Sequence, residues 1–231
     1  MKSYGLISTL LLNLILVLVA TAQTPETDFQ IWHETTFILP VVKEEDEKGK
    51  AFDRLSLLFI GSLRFGQNRL AFVDERAGGG FDLVLDKNWS FSPTYLYIAG
   101  QPGRGRREFE HRLRFDVTYA RKFKNFSFKD RNRVEYRIRN SRDDSVRYRN
   151  RFTFSVPIDN DGKELLAPFI ANEVYYDFAA GEWSRNDLSP GISKKINDRL
   201  SGEFFYVWRH NRSGAPRDVH GVGFNLKVKL K

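Results

Sequence analysis

The chain has 231 residues, a formal net charge of +8, no cysteine and a mean hydropathy of −0.46. The absence of cysteine excludes disulfide frameworks, thiolate metal sites, thiol nucleophiles and a lipobox anchor. The low hydropathy leaves no apolar run of about 18 residues after the N-terminal segment, so no helix of this chain is expected to cross a membrane.

The first 22 residues read as a secretory signal. Lys2 supplies the positive end, Gly5 to Ala20 the apolar stretch, and Ala20-Thr21-Ala22 the small-residue cleavage pattern. Cleavage after Ala22 is expected to leave one domain, residues 23–231. The basic excess would suggest nucleic acid if Lys and Arg formed a patch. Here Arg alternates with Phe, Tyr and Val, and no nucleic-acid partner is expected.

Residues 29–39 read as a first strand, ending at Pro40 and a charged loop. Residues 54–66 alternate cleanly, with Leu55, Leu57, Phe59, Leu63 and Phe65 on one face. Residues 70–86 form a longer strand interrupted by Gly78-Gly79-Gly80, which marks a bulge, a bend or the close approach of a bulky neighbour. After a turn at Asp86-Lys87-Asn88 comes 89–99, with Trp89, Phe91, Tyr95 and Tyr97 on one face.

The stretch 108–157 carries the clearest pattern. Phe109, Leu113, Phe115, Val117 and Tyr119 oppose Glu108, Glu110, Arg112, Arg114, Asp116 and Thr118. Phe126, Phe128, Val134, Tyr136 and Ile138 then oppose Lys129, Arg131, Arg133, Glu135, Arg137 and Arg139. Val146, Tyr148, Phe152 and Phe154 oppose Arg147, Arg149 and Arg151. Further strands follow at 168–178, 183–196 (weaker, with Pro190-Gly191), 200–210 and 219–231.

Period two is the signature of strands. These strands exceed the usual length of about 5–6 residues, and one face is aromatic and branched while the other is charged. That is the pattern of a wall between lipid and a polar lumen. The expected fold is all-β, a transmembrane antiparallel up-and-down barrel of ten to twelve strands in the bacterial outer membrane, in contact with outer-membrane lipid. The segments number eleven, whereas bacterial single-chain barrels normally have an even count. Either 29–39 lies outside the wall or 70–86 splits in two. Trp32, Trp89, Tyr119, Phe123, Phe126, Trp183 and Trp208 are read as aromatic girdles at the two interfaces.

The candidate site is the charged ladder of the lumen: Glu110, Arg112, Arg114, Arg131, Arg133, Glu135, Arg137, Arg149, Arg151 and Glu173. Arg forks facing carboxylates on neighbouring strands would pair. Any Arg left in excess would hold or pass small anionic solutes. His111, His210 and His220 fall on the apolar faces by parity. No Gly-x-Ser-x-Gly elbow and no His/acid pair with metal-ligand spacing occurs, so no catalytic residue, metal or cofactor is assigned.

The spacing Glu110-x-Arg112, Arg131-x-Arg133-x-Glu135-x-Arg137, Arg149-x-Arg151 and Asn172-Glu173 resembles the DUF2490 family of uncharacterised bacterial outer-membrane proteins, over most of the mature chain. The Ala-Gln signal junction looks like that of members from Bacteroidetes. The resemblance implies a membrane barrel and supplies no activity. Three readings stay open: a structural or narrow pore-like envelope barrel, a lipid-modifying barrel enzyme of the lipid A deacylase kind, and a soluble periplasmic barrel that binds a ligand.

Overall fold

Long alternating strands joined by short polar turns have one way to satisfy every backbone hydrogen bond, which is to close on themselves. A computed structural model shows this outcome. It describes residues 27–230 apart from 69, 104–105, 161–162 and 215, and the expected signal, residues 1–22, lies outside them. The described chain is strands and turns: β1 (Thr27–Glu45), β2 (Ala51–Gly66), β3 (Ala71–Val84), β4 (Trp89–Gly103), β5 (Arg106–Lys122), β6 (Ser127–Arg139), β7 (Ser145–Ser155), β8 (Ile158–Asn160), β9 (Lys163–Asp177), β10 (Glu182–Lys195), β11 (Leu200–Asn211) and β12 (Asp218–Lys229).

Each strand pairs with its neighbours in sequence, except that the three-residue β8 pairs only with β9 and extends one rim. β7 therefore pairs with β9, β9 with β10, and β12 closes on β1. The wall thus has eleven strands. Both suspect segments are in it, and neither is split.

The odd count is resolved at the seam. β1 and β12 run parallel, from Thr27 beside Asp218 to Ile38 beside Lys229, while every other wall pairing is antiparallel. Thr27 and the C-terminal end of β12 consequently lie at opposite rims, called here the N-rim and the C-rim. Turns at the C-rim are closed by side chains that mimic a backbone turn. Asp86 Oδ1 accepts the amides of Asn88 and Trp89 at 2.6 and 3.0 Å, and Asn197 Oδ1 accepts those of Arg199 and Leu200 at 2.8 and 2.9 Å.

The outer face is apolar. Leu57, Phe59, Leu113, Phe115, Phe152, Ile170, Phe204 and Phe224 are all exposed. Aromatic rings collect toward both rims. Trp89 meets Tyr119 at 4.9 Å and Phe123 stacks on Phe126 at 4.6 Å near the C-rim, while Tyr97 stacks on Phe109 at 6.1 Å and Tyr176 meets Trp183 at 5.3 Å near the N-rim. Trp32 is a correction to the girdle reading. It is buried inside the barrel, because β1 places it on the same face as Asp28 and Gln30.

A second correction concerns the lumen, which is not uniformly charged. Trp32, Phe205, Val207 and Val219 form an apolar sector with Phe169 against it, and Ile60, Leu96 and Ile98 form another. Gly221 and Gly223 make room for the first: a Cβ on Gly223 would sit 2.2 Å from the Phe205 ring.

The glycine triplet is a close approach and not a bulge. Register continues through it on both sides, and a Cβ on Gly78 would lie 2.0 Å from the carbonyl oxygen of Tyr95 in β4. Gly78→Ala is therefore expected to destabilise the barrel by about 1–3 kcal/mol through overpacking. Gly61→Ala, where a Cβ meets nothing within 4 Å, should change stability by less than about 0.5 kcal/mol. Denaturant unfolding of the two variants in detergent compares them directly.

Candidate functional site

β5, β6, β7 and β9 are consecutive in the wall, so their inward side chains form one sheet of charge. Register sets the pairs. Asp116 lies opposite Arg133, Arg114 opposite Glu135, Glu135 opposite Arg147, and Arg151 opposite Glu173. A guanidinium inside a narrow lumen loses its water and is best tolerated with a carboxylate in reach. The planar fork of Arg makes that contact bidentate.

The network has four carboxylate centres on these strands. Arg133 grips Asp116 with two bonds of 2.6 Å, and Arg137 grips Glu110 with two bonds of 2.9 Å. Arg112 Nε also donates to Glu110, at 2.6 Å. Glu135 is 0 % exposed. It accepts Arg147 at 2.6 Å and Arg149 at 2.8 Å, with Arg112 and Arg133 at 3.7 and 3.8 Å. Glu173 gathers Arg149 at 2.7 Å, Arg131 at 2.8 Å and Arg151 at 3.5 Å.

Nine of the ten residues singled out in the sequence are thus brought into one ion-paired network. Arg114 stands apart, its Nε donating to Thr94 Oγ1 at 2.9 Å.

Beyond these strands the network continues through residues the sequence reading missed. Tyr175 donates to Asp187 at 2.8 Å, and Arg209 grips Asp187 with bonds of 2.8 and 2.7 Å. Arg209 then lies over the Trp32 ring at 4.5 Å, and Arg64 lies over that ring at 4.0 Å. Arg76 pairs with Asp74 at 2.8 Å on β3. These positions were hidden because the inward faces of β2, β3, β10 and β11 mix their charges with Ser, Gly and apolar residues. The usable signal was parity: Asp187 and Arg209 sit directly opposite each other on β10 and β11.

This belt divides the lumen into two chambers. A cavity of about 740 Å³ opens toward the C-rim, and one of about 300 Å³ toward the N-rim. Arg64, Arg76, Arg112, Arg149, Tyr175 and Arg209 line both, so the partition is built from five guanidiniums and one phenol. Fourteen Lys and Arg residues line the larger chamber against five carboxylates. Its potential is therefore positive.

The histidines lie elsewhere, bonded to Thr35 (His33), Tyr95 (His111), Asp218 (His210) and Tyr206 (His220). Among the described residues no group of three or more His, Asp or Glu is placed to hold a metal ion.

These features define a closed β-barrel turned inside out relative to a water-soluble one, apolar on its wall and ion-paired in its lumen. The chain belongs to the DUF2490 family (protein of unknown function), which it matches over residues 29–220. No curated protein matches it. Two solved structures are similar. One is the anion-selective porin from Comamonas acidovorans, at 12% identity and a TM-score of 0.37, over 78% of this chain and 58% of that one. The other is the NanC porin, at 11% identity and a TM-score of 0.45, over 88% of this chain and 99% of that one. The chain thus spans little more than half the length of the first of these porins.

The buried centre sets a stability test. Glu135→Gln leaves Arg147 and Arg149 without their shared carboxylate and should cost about 3–5 kcal/mol. Glu44→Gln removes a rim pair of 3.7 Å with Arg54 and should cost less than about 1 kcal/mol. Denaturant midpoints of the refolded variants separate the two.

Proposed function

We propose that this protein is an outer-membrane β-barrel, exported by its N-terminal signal, whose lumen is a narrow passage for small anions. The observation that carries this reading is the partition: two chambers, the wider one strongly cationic, that share a lining of five guanidiniums and one phenol. Arg76, Arg112, Arg149 and Arg209 are each held by a carboxylate, and Arg64 lies over the Trp32 ring. An anion entering the larger chamber meets a positive field that focuses it toward the layer. A cation meets the same field as a barrier.

The outer belt supports the membrane location. Strands of 11 to 19 residues exceed the roughly 9–11 that cross a hydrocarbon core. Their outward residues are apolar between two aromatic bands, as the lipid face of such barrels requires. Among the described residues each His is hydrogen-bonded to Thr, Tyr or Asp and none to a serine.

The refolded protein in a planar lipid bilayer under a KCl gradient should give small conductance steps with an anion-selective reversal potential. Arg149→Glu, which reverses a charge in the partition, should move that potential toward cation selectivity. The native selectivity should weaken as salt rises, because screening shortens to about 10 Å at 0.1 M and less above it. A silent or cation-selective native protein would sink the proposal. An unboiled sample from the outer-membrane fraction should migrate differently from a boiled one, and a soluble protein with no shift would overturn the location.

A further inference from the structure

The apolar belt is interrupted across several adjacent strands. On β6, Asp130 and Asn132 point outward between Phe128 on one side and Val134, Tyr136 and Ile138 on the other. On β7, Asn150 points outward between Val146 and Tyr148 toward one rim and Phe152 and Phe154 toward the other. On β9 and β10, Asn172 and Asn186 are exposed on the same face, flanked by Ile170, Val174 and Leu188. Five polar residues thus form one patch across four adjacent strands, well inside the aromatic bands.

Within the patch the groups bond to one another. Asn150 Nδ2 donates to Asp130 Oδ1 at 2.6 Å and to Asn132 Oδ1 at 3.2 Å, and Asn132 Nδ2 donates to Asp130 Oδ2 at 3.2 Å. The Tyr148 hydroxyl also donates to Asn132 Oδ1. Asn172 Nδ2 donates to Asn186 Oδ1 at 2.7 Å. The second pair is incomplete: Asn172 Oδ1 and Asn186 Nδ2 have no partner among the described residues.

Lipid tails offer such groups nothing, and polar or charged side chains on a lipid face are costly at depth. Lipid headgroups sit at the rims, beyond the aromatic bands. We propose that the outer face of β6, β7, β9 and β10 is an interface between two copies of this chain. The argument for a second copy is self-complementarity. Carboxamides carry donors and acceptors together, so a two-fold axis can set the open Asn186 Nδ2 of each copy against the open Asn172 Oδ1 of the other. In an isologous contact both bonds form at once. Asn side chains associate strands and helices in membranes by this chemistry. Around the polar centre lie exposed Phe152, Ile170, Trp183 and Ile192, an apolar rim that keeps lipid contact continuous.

The inference rests on the membrane location proposed above and goes beyond the pore, since each barrel keeps its own lumen. The chain has no cysteine, so a single introduced thiol reports one position. Ile170→Cys, exposed beside Asn172 on β9 and leaving both asparagines intact, should cross-link in native membranes under oxidation to a species of twice the chain mass. Phe59→Cys, exposed on the opposite wall, should remain a single chain. The double variant Asn172→Leu/Asn186→Leu should lose the dimer by native mass spectrometry while keeping the heat-dependent gel shift of a closed barrel. That shift reads the membrane barrel independently of its partner state. A wild-type protein of single-chain mass with equal cross-linking at both thiols overturns the interface. So does cross-linking of Ile170→Cys only to a protein of another mass, which would assign the patch to a different partner.

Discussion

Most of what lies inside this barrel depends on one constraint: a guanidinium that has left water needs a partner in reach, and a carboxylate serves it best. The lumen holds Arg on β2, β3, β5, β6, β7, β10 and β11, and the wall brings Glu or Asp to most of them. The carboxylates are fewer than the cations, so each serves several. Glu135 holds two Arg closely with two more nearby, and Glu173 holds three. Such sharing fixes the forks in place and leaves a net positive field. Stability and the sign of the lumen's field therefore come from the same contacts. Strengthening the ladder with more acid would neutralise the chamber, and removing acid would loosen the wall.

The ladder was the most legible part of the sequence. Three successive strands with apolar residues at one parity and Arg or Glu at the other leave no alternative to a two-faced wall, and short turns put those strands side by side. The inward sector around Trp32, Phe205 and Val207 was illegible for the converse reason. β11 carries aromatic or branched residues at both parities over 204–208, so alternation does not say which set faces in. Only the neighbours decide it: Gly221 and Gly223 on β12 leave the space that Phe205 and Val207 fill. The same blindness hid the outward asparagines. In a strand of thirteen residues, two polar side chains at the apolar parity read as noise until the adjacent strands add theirs at the same height.

The strand count was legible and its meaning was not. Alternation reports which face a residue occupies and is silent on the direction of the strand beside it. The conflict between eleven segments and an even-numbered barrel could not be settled from the pattern. The structure settles it at the β1–β12 seam, where pairing is parallel and the register runs over twelve residue pairs. The slanted bonds of a parallel pair are slightly weaker per residue than antiparallel ones. Asn68, in the β2–β3 turn, ties down the start of the seam by bonds with the Phe29 amide and the Thr27 carbonyl at 2.9 Å each.

That seam also determines what can be done to the chain. In a wall whose first and last strands are antiparallel, the two ends of the polypeptide meet at one mouth, and a few residues suffice to join them and cut elsewhere. Here β12 alone spans twelve residues, about 40 Å at ~3.3 Å per residue. A linker joining the ends would have to thread the ion-paired lumen or cross the apolar belt. The fold is therefore not circularly permutable by a short loop. Epitopes fused next to β1 and after β12 would face opposite sides of whatever layer the wall divides.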